Sequence, residues 1–262
     1  MTLRVAVTAL AALVCGLWAA GAAAQSDPNE VAEFRVENRL FVDNEKEPHS
    51  ESTTIFFHGI VYDYLKKPAE VTVFDKARGR FVLLDVTRRV HTEIGTDKIS
   101  AFTEALRQRV LAHSDPLVQF LAEPKFEEHL DEAGNQLTFS SPSMTYRLTT
   151  IPADSQAIAR QYREFSDWYS RLNTLLTPGS RPPFARMVVN AALEKRQAFP
   201  SEIQLTLRLK KAVPPKRATI RSEHHLVRRL VESDRDRVAQ TDQFMAIFKR
   251  VDFGVYQEKM GE

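Results

Sequence analysis

The sequence predicts an α+β fold in which an antiparallel sheet is covered on one face by helices. One observation favours this fold, and a second favours a single domain. Strand-like runs come in blocks joined by short turns, and amphipathic helices lie between the blocks, whereas a parallel sheet needs regular strand–helix alternation. The chain also has no low-complexity linker and no internal repeat. We therefore expect residues 25–262 to form a single α+β domain.

Residues 1–24 have the pattern of a secretory signal peptide. Arg4 precedes an apolar run from Val5 to Ala20, and three alanines end the segment just before Gln25. A transmembrane anchor is the alternative, but a span needs about 20 apolar residues and this run is shorter. The sequence thus predicts cleavage near Gln25, a periplasmic or secreted protein, and no transmembrane anchor after cleavage.

The composition of the remaining chain excludes several classes of function. Cys15, the one cysteine, lies within the predicted signal peptide, so the exported chain has no disulfide, catalytic thiol or cysteine-bound metal. Loss of Arg4 takes the formal net charge from +2 to +1. A nearly neutral, exported protein is not expected to bind nucleic acid.

The first block of strands follows a strand predicted at 33–42. Short apolar runs separated by turn residues predict strands at about 52–57, 60–65, 70–75 and 80–91. The run from Phe81 to Leu84 is apolar without a break, which is typical of a strand covered on both faces.

The rest of the chain carries the helices and four further strands. Apolar residues at intervals of three and four predict the helices, and polar turns separate the strands. The expected helices are 96–113, 117–122, 154–176, 184–197 and 234–248, and the expected strands are 136–140, 144–150, 203–210 and 217–231. The helix 154–176 has the strongest stripe and should be a main core element; the stripe consists of Ile158, Tyr162, Phe165, Tyr169, Leu172 and Leu176.

Four stretches carry a family resemblance: FRVENRLFV, TVFDKARGRFVLLD, FSDWYSRLN and PPFARMVVNAAL. They resemble an uncharacterised family of exported bacterial proteins, mainly from planctomycetes, over most of the chain after residue 24. The order of elements is also distantly similar to the half-barrels of lipoprotein carriers and receptors, whose curved sheets hold an acyl chain against helices. This second resemblance implies a curved, half-barrel-like sheet and possible lipid or lipoprotein binding, but no site residues and no activity.

Aromatic side chains on the sheet and on helix 154–176 suggest a ligand site between the two. Such side chains are the usual walls of ligand cavities. The segment from Leu205 to Arg237 is locally basic, with ten Lys or Arg against four acids. This charge fits an anionic amphipathic partner, and it equally fits a solvated sheet face rich in long basic side chains. The expected ligand-binding residues are Phe56, Tyr62, Tyr64, Phe74, Phe81, Tyr162, Phe165, Trp168, Tyr169, Arg221 and Arg228.

Two alternatives remain open at the level of sequence. One is a hydrolase-type enzyme that uses His58, Asp63 and His224, although His58-Gly59 is better explained as a hairpin turn. The other is a structural, partner-binding protein. Glu223-His224-His225 contains metal-binding residue types, but consecutive residues of a strand point to opposite faces. The sequence predicts no catalytic residue, no cofactor and no metal site with enough support to assign one.

Overall fold

The computed structural model describes residues 30–131, 133–209 and 216–258. The predicted signal peptide, residues 1–24, and its cleavage point lie outside the described residues. Within those ranges the chain forms a 12-stranded sheet and six helices. The strands are β1 (Phe34–Val42), β2 (Ser50–Phe57), β3 (Ile60–Leu65), β4 (Glu70–Asp75), β5 (Arg80–Asp85), β6 (Val90–Gly95), β7 (Glu127–Leu130), β8 (Gln136–Ser140), β9 (Met144–Pro152), β10 (Ala198–Leu209), β11 (Lys216–Val227) and β12 (Lys249–Arg250). The helices are α1 (Thr96–Leu111), α2 (Pro116–Gln119), α3 (Gln156–Leu176), α4 (Phe184–Lys195), α5 (Glu232–Ile247) and α6 (Phe253–Glu258).

The sheet runs in the order β12-β6-β5-β4-β3-β2-β1-β11-β10-β9-β8-β7. Every pair is antiparallel except β12 with β6. The α+β class with an antiparallel sheet is therefore confirmed. The first strand, β1, lies in the middle of the sheet between β2 and β11, with Asn38 opposite His224. This pairing places an early strand against a late one beside the site below.

The predicted strand 80–91 is wrong, because two strands and a tight turn occupy it. The Asp85 carboxylate accepts a hydrogen bond from the backbone N–H of Arg88 at 2.7 Å and another from its guanidinium at 2.6 Å. Arg89 then adopts a φ of 55°. Asp is a common first residue of such turns because its side chain bonds the backbone ahead of it. At the other end of the sheet, β7 was not predicted, and its side chains are all exposed.

The prediction that helices cover one face only is also wrong. Phe81 and Leu83 pack in the core beneath α3, whereas Val82 and Leu84 pack in a second core with Val238 of α5. Alternate residues of a strand point to opposite faces, so an unbroken apolar run needs cover on both. The run 81–84 did indicate two-sided burial, and α5 supplies the second cover.

Helix α3 is confirmed as a main core element. The Ser155 side chain accepts from the backbone N–H of Ile158 at the start of the helix. Tyr162, Phe165 and Leu172 are buried against the sheet, where Phe165 meets Phe56 edge to face at a centroid distance of 5.8 Å. Among the helices of the described ranges, none combines the length and apolar character of a membrane span.

Candidate functional site

A cavity of about 400 Å³ lies between α3 and the inner face of strands β3, β2, β1 and β11. This volume falls within the range of about 300–1,000 Å³ that is usual for small-molecule sites. Its apolar surface comes from strand and helix residues together, namely Val36, Leu40, Phe56, Leu65 and Phe165.

Polar side chains form the floor of the cavity because they occupy inward-facing positions of four neighbouring strands. Asn38 of β1 shares a face with Phe34 and Val36, which are both buried. The sheet register places Thr54 opposite Asp63, and Asn38 opposite both Ser52 and His224. We call these residues, together with Ser222, the polar floor; its members are Asn38, Ser52, Thr54, Asp63, Ser222 and His224.

Hydrogen bonds connect the polar floor from β11 to β3. Ser222 Oγ lies 2.9 Å from His224 Nε2, and His224 Nδ1 lies 2.8 Å from Asn38 Oδ1. The Asn38 amide nitrogen donates to Thr54 Oγ1 at 2.9 Å and to Ser52 Oγ at 3.2 Å. Thr54 Oγ1 donates to Asp63 Oδ1 at 2.7 Å. Asp63 thus ends a chain that begins at Ser222.

The donors and acceptors of this chain assign its protons. The Asn38 oxygen can only accept, so His224 carries its proton on Nδ1 and leaves Nε2 to accept from the Ser222 hydroxyl. Thr54 accepts from Asn38 and therefore donates its own proton to Asp63. Hydrogen bonds that run in one direction strengthen each other in a medium of low dielectric constant. All of them favour a carboxylate at Asp63.

Helix α3 adds a second donor to Asp63. The Tyr169 hydroxyl donates to Asp63 Oδ2 at 3.0 Å. Burial raises the pKa of Asp63, while the hydrogen bonds from Thr54 and Tyr169 oppose that rise. Burial and the neighbouring carboxylate hold the pKa of Tyr169 well above its usual range, so Tyr169 stays protonated and remains a donor. Asp63 is 4% exposed, and none of the ion pairs among the described residues includes it, although the charge of Arg237 also opposes the rise in its pKa.

His224 is a neutral group in this cavity. Burial lowers its pKa to about 3, and the positive charge of Arg186 acts in the same direction. The ring is half-buried where it lines the cavity, under the residues of α3. Arg186 also opposes the rise that burial causes in the pKa of Tyr162. Arg186 therefore lies close to both His224 and Tyr162 at one side of the cavity.

The structure brings together some of the predicted ligand-binding aromatics and separates others. Phe56, Tyr162, Phe165 and Tyr169 line the cavity. Phe74, Phe81 and Trp168 share its side of the sheet, but they pack on one another in the core and do not line it. Tyr62 and Tyr64 face α5 on the opposite side, where their hydroxyls bond Asp242 at 3.2 Å and Thr241 at 3.0 Å. The sequence missed this division because it did not place α5.

Both predicted basic residues lie outside the cavity. Arg221 projects from the opposite face of β11, 4.0 Å from the ring centroid of Phe41, and pairs with Glu223. Arg228 pairs with Asp154 at the surface, and its side chain is 58% exposed. The cavity instead contains Arg186 of α4, which the sequence analysis did not select.

The three enzyme candidates are also separated. Asp63 and His224 belong to the polar floor, whereas His58 lies in the β2–β3 hairpin turn, 3.2 Å from Glu33. His58 and Gly59 both have positive φ, as the predicted hairpin turn requires. His224 faces the cavity while His225 is exposed on the other side of the sheet. In the described part of the chain, no three His, Cys, Asp or Glu side chains are placed to share a metal ion.

Comparisons with known proteins add no family to these observations. No model of a known protein family matches the chain, and no curated protein matches it significantly.

Proposed function

We propose that this is an exported, non-enzymatic protein of the cell envelope that binds a small amphipathic molecule between the sheet and α3. The observation that carries the proposal is the cavity itself, which combines carbon walls with the polar floor. Ligand sites typically have such apolar walls with a few convergent polar groups.

The polar floor supports ligand recognition over simple packing. Six polar side chains occupy inward-facing strand positions where apolar residues would give a dry interface with α3. Burial of polar groups is unfavourable unless they are hydrogen-bonded, and here the bonds cross four strands. Functional sites are where proteins commonly place polar residues at apolar positions of a strand, although this lowers stability. A bare hydrocarbon chain would leave this floor without new partners, so the ligand should carry polar groups.

Export and sheet curvature belong to the same proposal. Support for export is the pattern of Arg4, the apolar run 5–20 and the alanines before Gln25. A half-barrel-like curvature would cup the ligand against α3, in the manner of the lipoprotein carriers and receptors that the chain distantly resembles. Lipid or lipoprotein is accordingly the partner class that fits the compartment.

Mass spectrometry of the protein purified from its own envelope tests the proposal. A solvent extract should contain one amphipathic small molecule in near-stoichiometric amount. The matched control is the same chain unfolded in urea, washed and refolded, which should carry none. Equal amounts of small molecules from both samples would contradict the proposal and favour a structural, partner-binding protein.

A hydrolase is the second candidate, and one observation favours it. Ser222, His224 and Asn38 form a nucleophile, base and orienting group at distances of 2.9 and 2.8 Å. In acyl-transfer enzymes the histidine takes the serine proton, and the third group holds the histidine in the right tautomer.

The electrostatics of His224 place this candidate second. Its pKa of about 3 makes it a weak base, whereas general bases work best when their pKa lies near the operating pH. Asn38 is neutral and stabilises the imidazolium less than a carboxylate would, and the charge of Arg186 destabilises it. A test with 4-nitrophenyl butyrate separates the two functions. Ligand binding predicts that the wild type and Ser222→Ala hydrolyse it equally slowly; turnover that Ser222→Ala abolishes would establish the hydrolase.

A further inference from the structure

Arg186 differs from the other arginines near the cavity because no carboxylate of the described residues pairs with it. It is half-buried on the first turn of α4 and lines the cavity beside His224 and Tyr162. Its neighbours on α3 and α4 are paired elsewhere: Arg163 bonds Glu194, and Asp167 accepts from Asn190. Across the residues that the structure describes, no carboxylate forms an ion pair with Arg186.

Other arginines near the site have partners that satisfy them. Arg39, which also borders the cavity, pairs with Glu223 at 2.7 Å, and Arg221 pairs with Glu223 as well. Arg228 pairs with Asp154. A guanidinium has five N–H donors in a fork that matches carboxylate and phosphate oxygens, and it is costly to remove from water without an anion. Arg186 shares a hydrogen bond with the Tyr162 hydroxyl, and its remaining N–H groups are available to a ligand in the cavity.

We propose that the amphipathic ligand carries an anionic group, a carboxylate or a phosphate, and that Arg186 binds it. This inference rests on the proposed function, because it specifies the ligand of the same cavity. The anion lies beside Tyr162 and the neutral His224, and the apolar part of the ligand extends under α3 towards Phe56 and Phe165.

Asp63 fixes this orientation. Its carboxylate lies on β3 and Arg186 approaches from the side of β11, so three strand spacings separate the acidic and basic ends of the cavity floor. Asp63 already accepts from Thr54 and Tyr169. Once Asp63 is ionised, an anionic group placed at its end of the cavity would meet a like charge of low exposure, and that repulsion is strong where water is excluded. The ligand consequently binds in one direction.

A series of single-chain amphiphiles with one tail and different head groups tests the inference. Decanoate, decyl phosphate, decanol and decylamine are titrated into the wild type, Arg186→Gln and Arg228→Gln, with heat of binding as the readout. Charge-assisted hydrogen bonds contribute about 1.5–3 kcal/mol, which converts to a loss of about tenfold to a hundredfold in affinity. We expect that loss for decanoate or decyl phosphate in Arg186→Gln only. The preference between these two ligands identifies which anion the site takes.

Controls separate charge from packing. Arg228→Gln removes an exposed arginine of the same type and should bind like the wild type. Arg186→Lys keeps the charge and should retain a preference for the anions over decanol. If decanol binds the wild type as tightly as decanoate, or if Arg186→Gln weakens both equally, the anionic ligand is refuted while amphiphile binding stands. Failure of all four amphiphiles to bind the wild type would overturn the proposed function itself.

Discussion

At the scale of single residues, the polar floor contains two groups whose pKa values move in opposite directions on folding. His224 has a pKa lowered to about 3, and Asp63 has a raised pKa, both mainly because of burial. Each group is therefore harder to charge in the folded protein than in the unfolded chain. The stability of the protein should depend on pH through both of them, with opposite slopes.

The His224→Gln variant tests the acid side. A histidine with a lowered pKa contributes stability fully above its unfolded value near 6.5, and this stability is lost as the pH falls towards 3. The unfolded chain binds the proton first in that window. We expect the free energy of unfolding in urea to fall by less between pH 6.5 and 4 in His224→Gln than in the wild type. Identical slopes would mean that His224 is protonated in the native cavity.

The Asp63→Asn variant tests the opposite slope. A carboxyl group with a raised pKa favours the folded state below its usual value, and that contribution is lost as the pH rises through the folded pKa. In Asp63→Asn the free energy of unfolding should therefore fall less as the pH rises above 4. The double variant with His224→Gln should have neither dependence. If the free energy of unfolding falls equally with rising pH in Asp63→Asn and in the wild type, another acid is responsible for the fall.

Parts of this site were visible in the sequence at the residue scale. Asn38 follows Phe34 and Val36 on the inward parity of β1, and Asp63 lies between Val61 and Leu65 on that of β3. A polar residue at an apolar position is the signal that could have found both. Arg186 gave no such signal, because an arginine on a helix is ordinarily a solvated side chain.

At the scale of elements, α3 connects the core to the cavity. One side of the helix buries Phe165 against Phe56 and Phe74, and the adjacent side lines the cavity with Ser166 and Ser170. The spacing of its apolar residues predicted the helix and its buried face. The sequence could not place α5, because its apolar residues form no clear stripe to indicate which face of the sheet it covers.

The Phe165→Ala variant measures how much α3 packing stabilises the domain. Phe165 is 6% exposed, and truncation of a buried phenylalanine costs about 3–5 kcal/mol through lost transfer energy and a residual cavity. The unfolding midpoint in urea should fall accordingly. Val188→Ala on α4, where Val188 is 38% exposed, is the control and should change the free energy of unfolding by less than about 1 kcal/mol. Equal effects of the two changes would contradict this role of α3.

An ion pair attaches α5 to the middle of the sheet. Arg35 of β1 makes two hydrogen bonds to Asp234, at 2.9 and 2.7 Å, and Asp234 also accepts from the backbone N–H of Val231 at 3.0 Å. Arg35→Met would leave this carboxylate, which is 7% exposed, without its cation. We expect a loss of about 2–4 kcal/mol in unfolding free energy. Lys66→Met, which breaks the exposed pair with Glu51, should cost less than about 1 kcal/mol; a similar loss in both variants would argue against the buried pair.

At the scale of the whole molecule, the site depends on a pairing between distant parts of the chain. Asn38 and His224 become neighbours only because β1 pairs with β11. Local patterns predicted the hairpins β2 to β5, since adjacent strands are joined by short turns. They carry no information about which late strand lies against the first one. Most of the strands could therefore be predicted from sequence, although β7 and the turn between β5 and β6 could not, and neither could the cavity and its polar floor.

Binding of decanoate to a cavity-blocked variant tests the central claim most directly. Ser170 of α3 lines the cavity, and Ser170→Phe should fill it, whereas Ser180→Phe adds the same ring at an exposed position beyond α3. Calorimetry should give one site with a negative heat-capacity change in the wild type and in Ser180→Phe, because apolar surface is buried on binding. It should give no binding in Ser170→Phe at an unchanged thermal midpoint. Equal binding by all three chains would contradict the claim that the ligand lies between the sheet and α3.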